Sequence, residues 1–148
     1  MAQVFPASVT VLTPATSANL GPGFDSLGLA LRLYNRFVIE ESGDDPLRPS
    51  IEVLGALGAS LSTGPDNLFF RAFALLFERK QAQLPALRIR MIIEIPPGCG
   101  LGSSATAVVG GLVAANELLR ARDLAVSKEE LLALSLIHIS EPTRQAEI

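Results

Sequence analysis

A glycine-rich segment at residues 96–106 (PPGCGLGSSAT) holds the residue types best suited to chemistry. Gly98, Gly100 and Gly102 alternate along it, and a glycine can take positive φ and let a ligand approach the backbone closely. Two serines then open an apolar run typical of a helix, and the free N–H groups at a helix start attract anions. The segment therefore predicts a phosphate site made mainly of backbone, in which the Ser104 hydroxyl can reach a metal ion on the phosphates.

Other glycine-rich loops fit this segment less well. The Walker loop needs a lysine after its glycines, and none follows here. A dinucleotide loop needs glycine at position 103 and an acid at the end of the next strand, whereas serine stands at 103 and Glu117 lies inside the expected helix. The glycine loop of protein kinases lies between strands. An ordinary tight turn capped by serine remains the alternative to a phosphate site.

The C-terminal segment does not continue the pattern that precedes it. The sequence SKEE at residues 127–130 has the form of a capping box and predicts a helix that begins at Lys128. The stretch IHISEP then interrupts the helical period. Residues 134–144 (LSLIHISEPTR) resemble the translation of a sequencing-library transposase adapter. We therefore expect residues 1–133 to form the domain and residues 134–148 to be adapter-derived.

Cysteine and histidine offer little further chemistry. Cys99 is the only cysteine, which excludes an internal disulfide and a zinc site made of several cysteines. A nucleophilic cysteine needs a neighbouring base. The only histidine, His138, lies in the adapter-like segment and receives no functional role. Catalysis by Cys99 is therefore disfavoured.

Two sequence periods outline the elements that must position the glycine segment. Alternating residues predict strands, and apolar residues at helical spacing after Asp66 and Asn67 predict a helix that these residues cap. Gly110 and Gly111 lie inside a second helix, where close packing against another element would offset their low helix propensity; a local kink is the alternative. The expected strands are residues 8–13, 31–40, 51–54 and 87–95, and the second helix spans residues 103–120. This order indicates an α+β domain with the glycine segment at a strand-to-helix junction.

Length and charge limit the class of protein. The 148 residues are 49% hydrophobic with a net charge of −3, which fits one globular domain and offers no basic field for nucleic acid. No cationic, apolar leader begins the chain, and no continuous apolar run reaches the roughly 18 residues that a membrane helix needs. We expect a soluble, cytoplasmic protein whose partners are neither nucleic acid nor membrane.

Two motifs resemble one enzyme family. Residues 96–105 resemble the phosphate-binding motif of the GHMP small-molecule kinases, and residues 13–31 (TPATSANLGPGFDSLGLAL) resemble the N-terminal signature of the homoserine kinases within that family. The resemblance runs from about Val4 to Ala133. It implies an α+β GHMP kinase N-terminal domain related to ribosomal protein S5 domain 2, with a left-handed β-α-β crossover.

The resemblance also implies a reaction and its site. The reaction is transfer of the γ-phosphoryl group of ATP to the hydroxyl of L-homoserine, with Mg²⁺, in threonine biosynthesis. Asn19 and Asp25 match residues that bind homoserine, and Asn67 would lie near the purine. The Ser104 hydroxyl, from the chemistry of the loop, is our candidate for the magnesium side. No general base is implied, and a homodimer is allowed. The residues matched to the loop around the triphosphate are Pro96, Pro97, Gly98, Cys99, Gly100, Leu101, Gly102, Ser103, Ser104, Ala105 and Thr106.

Local structure offers a second explanation for some of these residues. Asn19 and Asp25 flank a Gly-Pro-Gly sequence and have the residue types that a turn needs, and Asn67 suits a helix cap.

Other functions also remain open. In the family, a carboxylate that binds magnesium and a C-terminal domain lie beyond the region that this chain resembles. Because the 148-residue chain lacks both, it is expected to be inactive alone. The alternatives are an ATP- or phosphate-binding module without catalysis, another GHMP kinase, and an S5-like RNA-binding domain. The acidic balance of the chain disfavours the RNA-binding domain.

Overall fold

A computed structural model describes residues 8–18, 20–24, 26–42 and 45–137. Strands and helices are mixed along the chain, which confirms the expected α+β class. Two short 3-10 turns, Gly21–Gly23 and Ala56–Gly58, lie between strands or before the first helix. The elements are β1 (Val9–Ala18), β2 (Gly28–Glu41), β3 (Ser50–Leu54), α1 (Leu68–Arg79), β4 (Leu87–Ile92), α2 (Ser103–Arg120) and α3 (Lys128–Ile137).

The described strands form one mixed sheet in the order β1-β2-β4-β3. β2 pairs antiparallel with both β1 and β4, whereas β3 pairs parallel with β4. Parallel neighbours need a crossover connection, and α1 provides it between β3 and β4. This is the expected β-α-β unit. Its left-handedness and its kinship to ribosomal protein S5 stay predictions.

The first two strands are longer than the sequence predicts. β1 was expected to end at residue 13 and β2 to begin at residue 31, but Thr16 pairs with Ala30 and Ala18 pairs with Gly28. The register shifts between Pro14 and Thr16, and pairing resumes beyond that irregularity. The extension brings the end of β1 towards the glycine segment.

β4 is shorter than the expected strand at residues 87–95, because its ladder ends at Ile92. The alternation of burial nevertheless continues, and Ile93 and Ile95 are buried. The backbone N–H groups of Glu94 and Ile95 donate to the side chain of Asn35 rather than to a strand. A side-chain amide therefore takes the place of a strand partner over these residues.

The core lies between one face of the sheet and the helices. Inward-facing side chains of β1, β2 and β4, including Val11, Phe37 and Met91, pack with the apolar residues of α1 and α2. Phe37 stacks on Phe69 of α1 with ring centroids 4.6 Å apart. None of the helices in the described ranges is long and apolar enough to cross a membrane.

Gly110 allows α2 to approach Phe37 of β2, and Gly111 allows α2 to approach α1 closely. A Cβ added at Gly110 would lie 2.8 Å from the Phe37 ring, and one added at Gly111 would collide with the backbone oxygen of Phe69 and lie 3.1 Å from the nitrogen of Phe73. The close packing expected from the sequence is confirmed. The low helix propensity of the two glycines is thus the cost of a tight contact of α2 with β2 at Gly110 and with α1 at Gly111.

A buried amide and a serine cap fix the C-terminal end of the described chain. Asn116 of α2 exchanges two hydrogen bonds with the backbone of Val126, at 2.7 and 3.1 Å. Ser127 accepts from the backbone N–H of Glu130 at 3.2 Å, which confirms the predicted start of α3. α3 continues to Ile137. The helix therefore crosses position 134, where the resemblance to an adapter begins.

Substitution of Gly111 tests the contact between the helices. We expect Gly111→Ala to lower the free energy of unfolding by about 1–3 kcal/mol, as overpacking does. Alanine is otherwise favoured over glycine inside a helix, so the loss would come from the contact with Phe69. Urea denaturation followed by circular dichroism measures it. Val109→Ala, at a 41% exposed position of the same helix, is the control and should change little. A Gly111→Ala protein as stable as the parent would contradict the tight contact.

Candidate functional site

The glycine segment joins the end of β4 to the start of α2. Gly98, Gly100 and Gly102 have φ of +74°, +70° and +70°, so the expected positive φ is confirmed at all three. A Cβ added at Gly98 or Gly100 would meet no atom within 4 Å. These two glycines are therefore required by backbone conformation rather than by crowding, and the space beside them is open to a ligand.

The start of α2 has no side-chain cap. Gly102 is the N-cap residue, in the left-handed conformation, and its carbonyl accepts the first helical hydrogen bond from the N–H of Thr106 at 2.9 Å. The serine cap in the alternative interpretation is therefore wrong, because no side chain caps this helix start. The N–H groups of the first turn remain available to an anion, which the partial positive charge of a helix start also favours.

The end of β1 supports the glycine segment from one side. The backbone N–H of Thr16 donates to the carbonyl of Leu101 at 3.0 Å. A Cβ added at Gly102 would lie 2.5 Å from Oγ1 of Thr16, so the glycine segment and the end of β1 are in close contact here. Glycine at 102 is thus required by crowding as well as by its φ.

Asn35 of β2 is hydrogen-bonded to both ends of the segment. Its side chain is buried, with 1% exposure. Oδ1 accepts from the N–H groups of Glu94 and Ile95, each at 3.0 Å, and Nδ2 donates to Oγ1 of Thr106 at 2.9 Å. The Thr106 hydroxyl in turn donates to the carbonyl of Ser103 at 2.6 Å. We call the three hydrogen bonds of Asn35 the Asn35 clamp, because they join the chain before the glycine segment to the helix after it.

Asn35 is not among the site residues expected from the sequence, although a signal for it exists. It lies on the same face of β2 as Phe37 and Ile39, which are two and four residues further along and face the core. A polar side chain on the buried face of a strand must find hydrogen-bond partners. That requirement could have singled out Asn35, but the sequence does not indicate which partners it has.

A pocket of about 270 Å³ lies beside the glycine segment. It brings the segment together with the start of α1 and with the turn that precedes α1. Its size is close to the lower end of the range for small-molecule sites. Residues that line it include Ser62, Asn67 and Leu68 on one side and Gly98, Ser103 and Ser104 on the other.

Asn67 lines this pocket, but its polar atoms already have partners within the protein. Oδ1 accepts from the N–H groups of Phe69 and Phe70 at 3.0 and 3.3 Å, which caps α1. Nδ2 donates to the carbonyl of Ser62 at 2.6 Å and to the sulfur of Met91 at 3.5 Å. The expected cap is therefore confirmed for Asn67. Its side chain shapes the pocket by holding the turn at Ser62 against α1.

Three further expected residues are Cys99, which the structure describes, and Asn19 and Asp25, which it does not. Cys99 is exposed and its thiol lies 3.7 Å from the carbonyl of Pro97, and no His, Cys, Asp or Glu cluster that could hold a metal occurs among the described residues. Asn19 and Asp25 lie outside the described residues. Of the predicted loop residues, the structure brings Pro97, Gly98, Ser103 and Ser104 to one pocket with Asn67. The others in residues 96–106 do not line this pocket.

A model of a known family matches the chain. The model described as the GHMP kinases N terminal domain matches residues 67–142, about half of the sequence. This match includes α1, β4, the glycine segment and α2. The first motif, at residues 13–31, precedes it.

Named relatives match a larger part of the chain. Proteins named homoserine kinase from Synechocystis sp. and Parasynechococcus marenigrum are both 47% identical to it, over 110 and 131 residues. These alignments cover 74% and 86% of this chain but 36% and 40% of the relatives. The chain thus spans about two fifths of the length of the curated relatives that it matches.

A solved structure has the same fold. The crystal structure of homoserine kinase from Cytophaga hutchinsonii matches with a TM-score of 0.74 at 26% identity. The match covers 89% of this chain and 41% of that one. The arrangement of strands and helices described above is therefore also found in that protein.

Substitutions at Asn67 separate its two structural roles. We expect Asn67→Ala to lower the free energy of unfolding by about 1–2 kcal/mol, because α1 loses its cap. Asn67→Asp should cost less, since a carboxylate still accepts from Phe69 and Phe70 and suits a helix start, although Ser62 loses its donor. Urea denaturation measures both changes, with Asp66→Asn at the exposed neighbouring position as the control. Equal losses in the two Asn67 variants would show that the cap contributes nothing.

Proposed function

The chain belongs to the GHMP kinase family, and on that premise we propose that it is the nucleotide-binding part of a homoserine kinase. The reaction transfers the γ-phosphoryl group of ATP to the side-chain hydroxyl of L-homoserine and gives O-phosphohomoserine and ADP, as threonine biosynthesis requires. The observation that carries the proposal is the open glycine segment at the uncapped start of α2. The relatives named homoserine kinase support the choice of substrate.

The triphosphate of ATP would bind along residues 96–106. Backbone N–H groups and the helix start supply partial positive charge there, so no lysine is needed to hold the phosphates. The adenine would enter the pocket beside the segment, against Asn67 and Leu68. Because the polar atoms of Asn67 are engaged in the cap and with Ser62, this side chain would serve the base as a wall rather than as a new hydrogen-bond partner.

Magnesium would enter the site on the triphosphate. Protein sites for Mg²⁺ commonly supply only one or two ligands, and phosphate oxygens and waters complete the shell. The Ser104 hydroxyl, exposed at the start of α2 and beside the pocket, suits this role. The described residues hold no acidic cluster that would form a metal cage by itself. When bound, the ion would neutralise charge on the phosphates.

L-homoserine would bind beside the glycine segment through Asn19 and Asp25. A carboxylate at Asp25 can pair with the substrate ammonium, and the amide of Asn19 can both donate and accept. The position of β1 supports this assignment, since Thr16 contacts the glycine segment through Leu101 only three residues before Asn19. The substrate hydroxyl would thus be directed towards the γ-phosphate.

Catalysis would depend on the alignment of the two substrates and on stabilisation of the phosphate charge. In phosphoryl transfer through a loose transition state, the enzyme contributes mainly by positioning the reactants and stabilising the phosphate charge. The hydroxyl oxygen of homoserine forms a bond to the γ-phosphorus while the bond between that phosphorus and the β–γ bridging oxygen breaks, so that ADP leaves and the hydroxyl proton is released to solvent. No general base is assigned.

We also propose that residues 134–148 are adapter-derived, on the ungapped resemblance at residues 134–144. The apolar LSLI sequence that opens this segment suits a helix whatever its origin, which accounts for the continuation of α3 to Ile137. Long-read sequencing of the source DNA should show a reading frame that departs from this chain after codon 133. Recovery of the same 15 codons, 134–148, from genomic DNA would contradict the proposal.

The activity is tested on the reading frame that this sequencing recovers. Incubation with MgATP and L-homoserine should give O-phosphohomoserine and ADP, detected by phosphorus NMR. Mevalonate and galactose are the comparison substrates, and phosphorylation of either one instead of homoserine would indicate another GHMP kinase. The 148-residue chain should bind ATP in a calorimetric titration without forming product. An absence of binding would contradict the nucleotide site.

A further inference from the structure

We propose that Asn35 is a positioning residue that holds the glycine segment in its ligand-binding shape. The proposal deepens the proposed function, because the ligand concerned is ATP at that segment. Asn35 is one of the residues that line the pocket beside the segment, but its oxygen accepts from two backbone N–H groups and its nitrogen donates to Thr106. It acts through the backbone at Glu94 and Ile95 and through the side chain of Thr106.

The two ends of the segment meet on this one side chain. Glu94 and Ile95 directly precede residues 96–106, and Thr106 lies in the first turn of α2. Three glycines with positive φ give the segment between them little stiffness of its own. Its shape must therefore be set by the positions of its ends and by the contact with Thr16.

The clamp also acts on the helix start itself. The Thr106 hydroxyl accepts from Asn35 and donates to the carbonyl of Ser103, so the first turn of α2 is tied to β2 through this oxygen. The N–H groups of that turn are the ones proposed to face the phosphates. Small displacements of a binding group are costly because the geometry of hydrogen bonds is narrow.

Asn116 provides a matched comparison within the same helix. It is also a buried asparagine, with 4% exposure, and its amide also bonds to backbone. Its partner is Val126, beyond the C-terminal end of α2 and away from the pocket. Both amides should contribute to stability, but only Asn35 is connected to the glycine segment.

The test compares Asn35→Asp with Asn116→Asp in the 148-residue chain. An aspartate at 35 still accepts from Glu94 and Ile95 but has no N–H group to donate to Thr106. We expect Asn35→Asp to weaken MgATP binding about tenfold in calorimetric titration, because Thr106 loses the hydrogen bond that ties it to β2 and the helix start shifts. Asn116→Asp should change the affinity by less than about twofold, as expected of a distant, independent site.

Hydrogen exchange gives a second readout that does not depend on nucleotide. In the unliganded chain, Asn35→Asp should accelerate amide exchange at residues 96–106, whereas Asn116→Asp should accelerate it at residues 124–127. Equal losses of affinity in the two variants, or unchanged exchange at residues 96–106 in Asn35→Asp, would overturn the positioning role. If the parent chain does not bind MgATP, the proposed function fails, and the exchange pattern alone then decides whether Asn35 holds the segment.

Discussion

The buried side-chain amide of Asn35 is the interaction on which the geometry of the site depends. It lies on the core face of β2, accepts from the backbone that leaves β4 and donates to the first turn of α2. A buried polar group that loses its partners costs more free energy than the bond itself contributes, so the three elements are favoured in only one relative position. The glycine segment, which has little stiffness of its own, takes its shape from that arrangement.

The contact between α1 and α2 sets how far apart the two helices lie on either side of the site. Gly111 brings the helices close enough that no Cβ fits between them, and Gly110 lies against Phe37 of β2, whose ring stacks on Phe69 of α1. The pocket lies between the start of α1 and the start of α2. Its width is therefore set by core packing, while Asn67 closes one wall by holding the Ser62 turn to the helix.

Local features of the site could be predicted from the sequence, and long-range ones could not. Positive φ at the glycines, the cap at Asn67 and the tight packing at Gly111 each follow from the properties of a residue in its own element. The parallel pairing of β3 with β4, the continuation of β1 past residue 13 and the partners of Asn35 depend on contacts between distant parts of the chain. Asn35 and Thr106 are separated by 71 positions, and no local pattern relates them.

The positions of β1 and β3 in the sheet bear on the behaviour of the chain in concentrated solution. Both are outer strands of the described sheet, and an outer strand presents backbone groups that another molecule can pair with. β1 contains Pro14, which has no N–H group, and its register shifts immediately afterwards. β3 has only five residues and carries the exposed charge of Glu52. Proline, irregular register, short length and charge all oppose strand addition, so the sheet is protected at both margins against edge-to-edge aggregation.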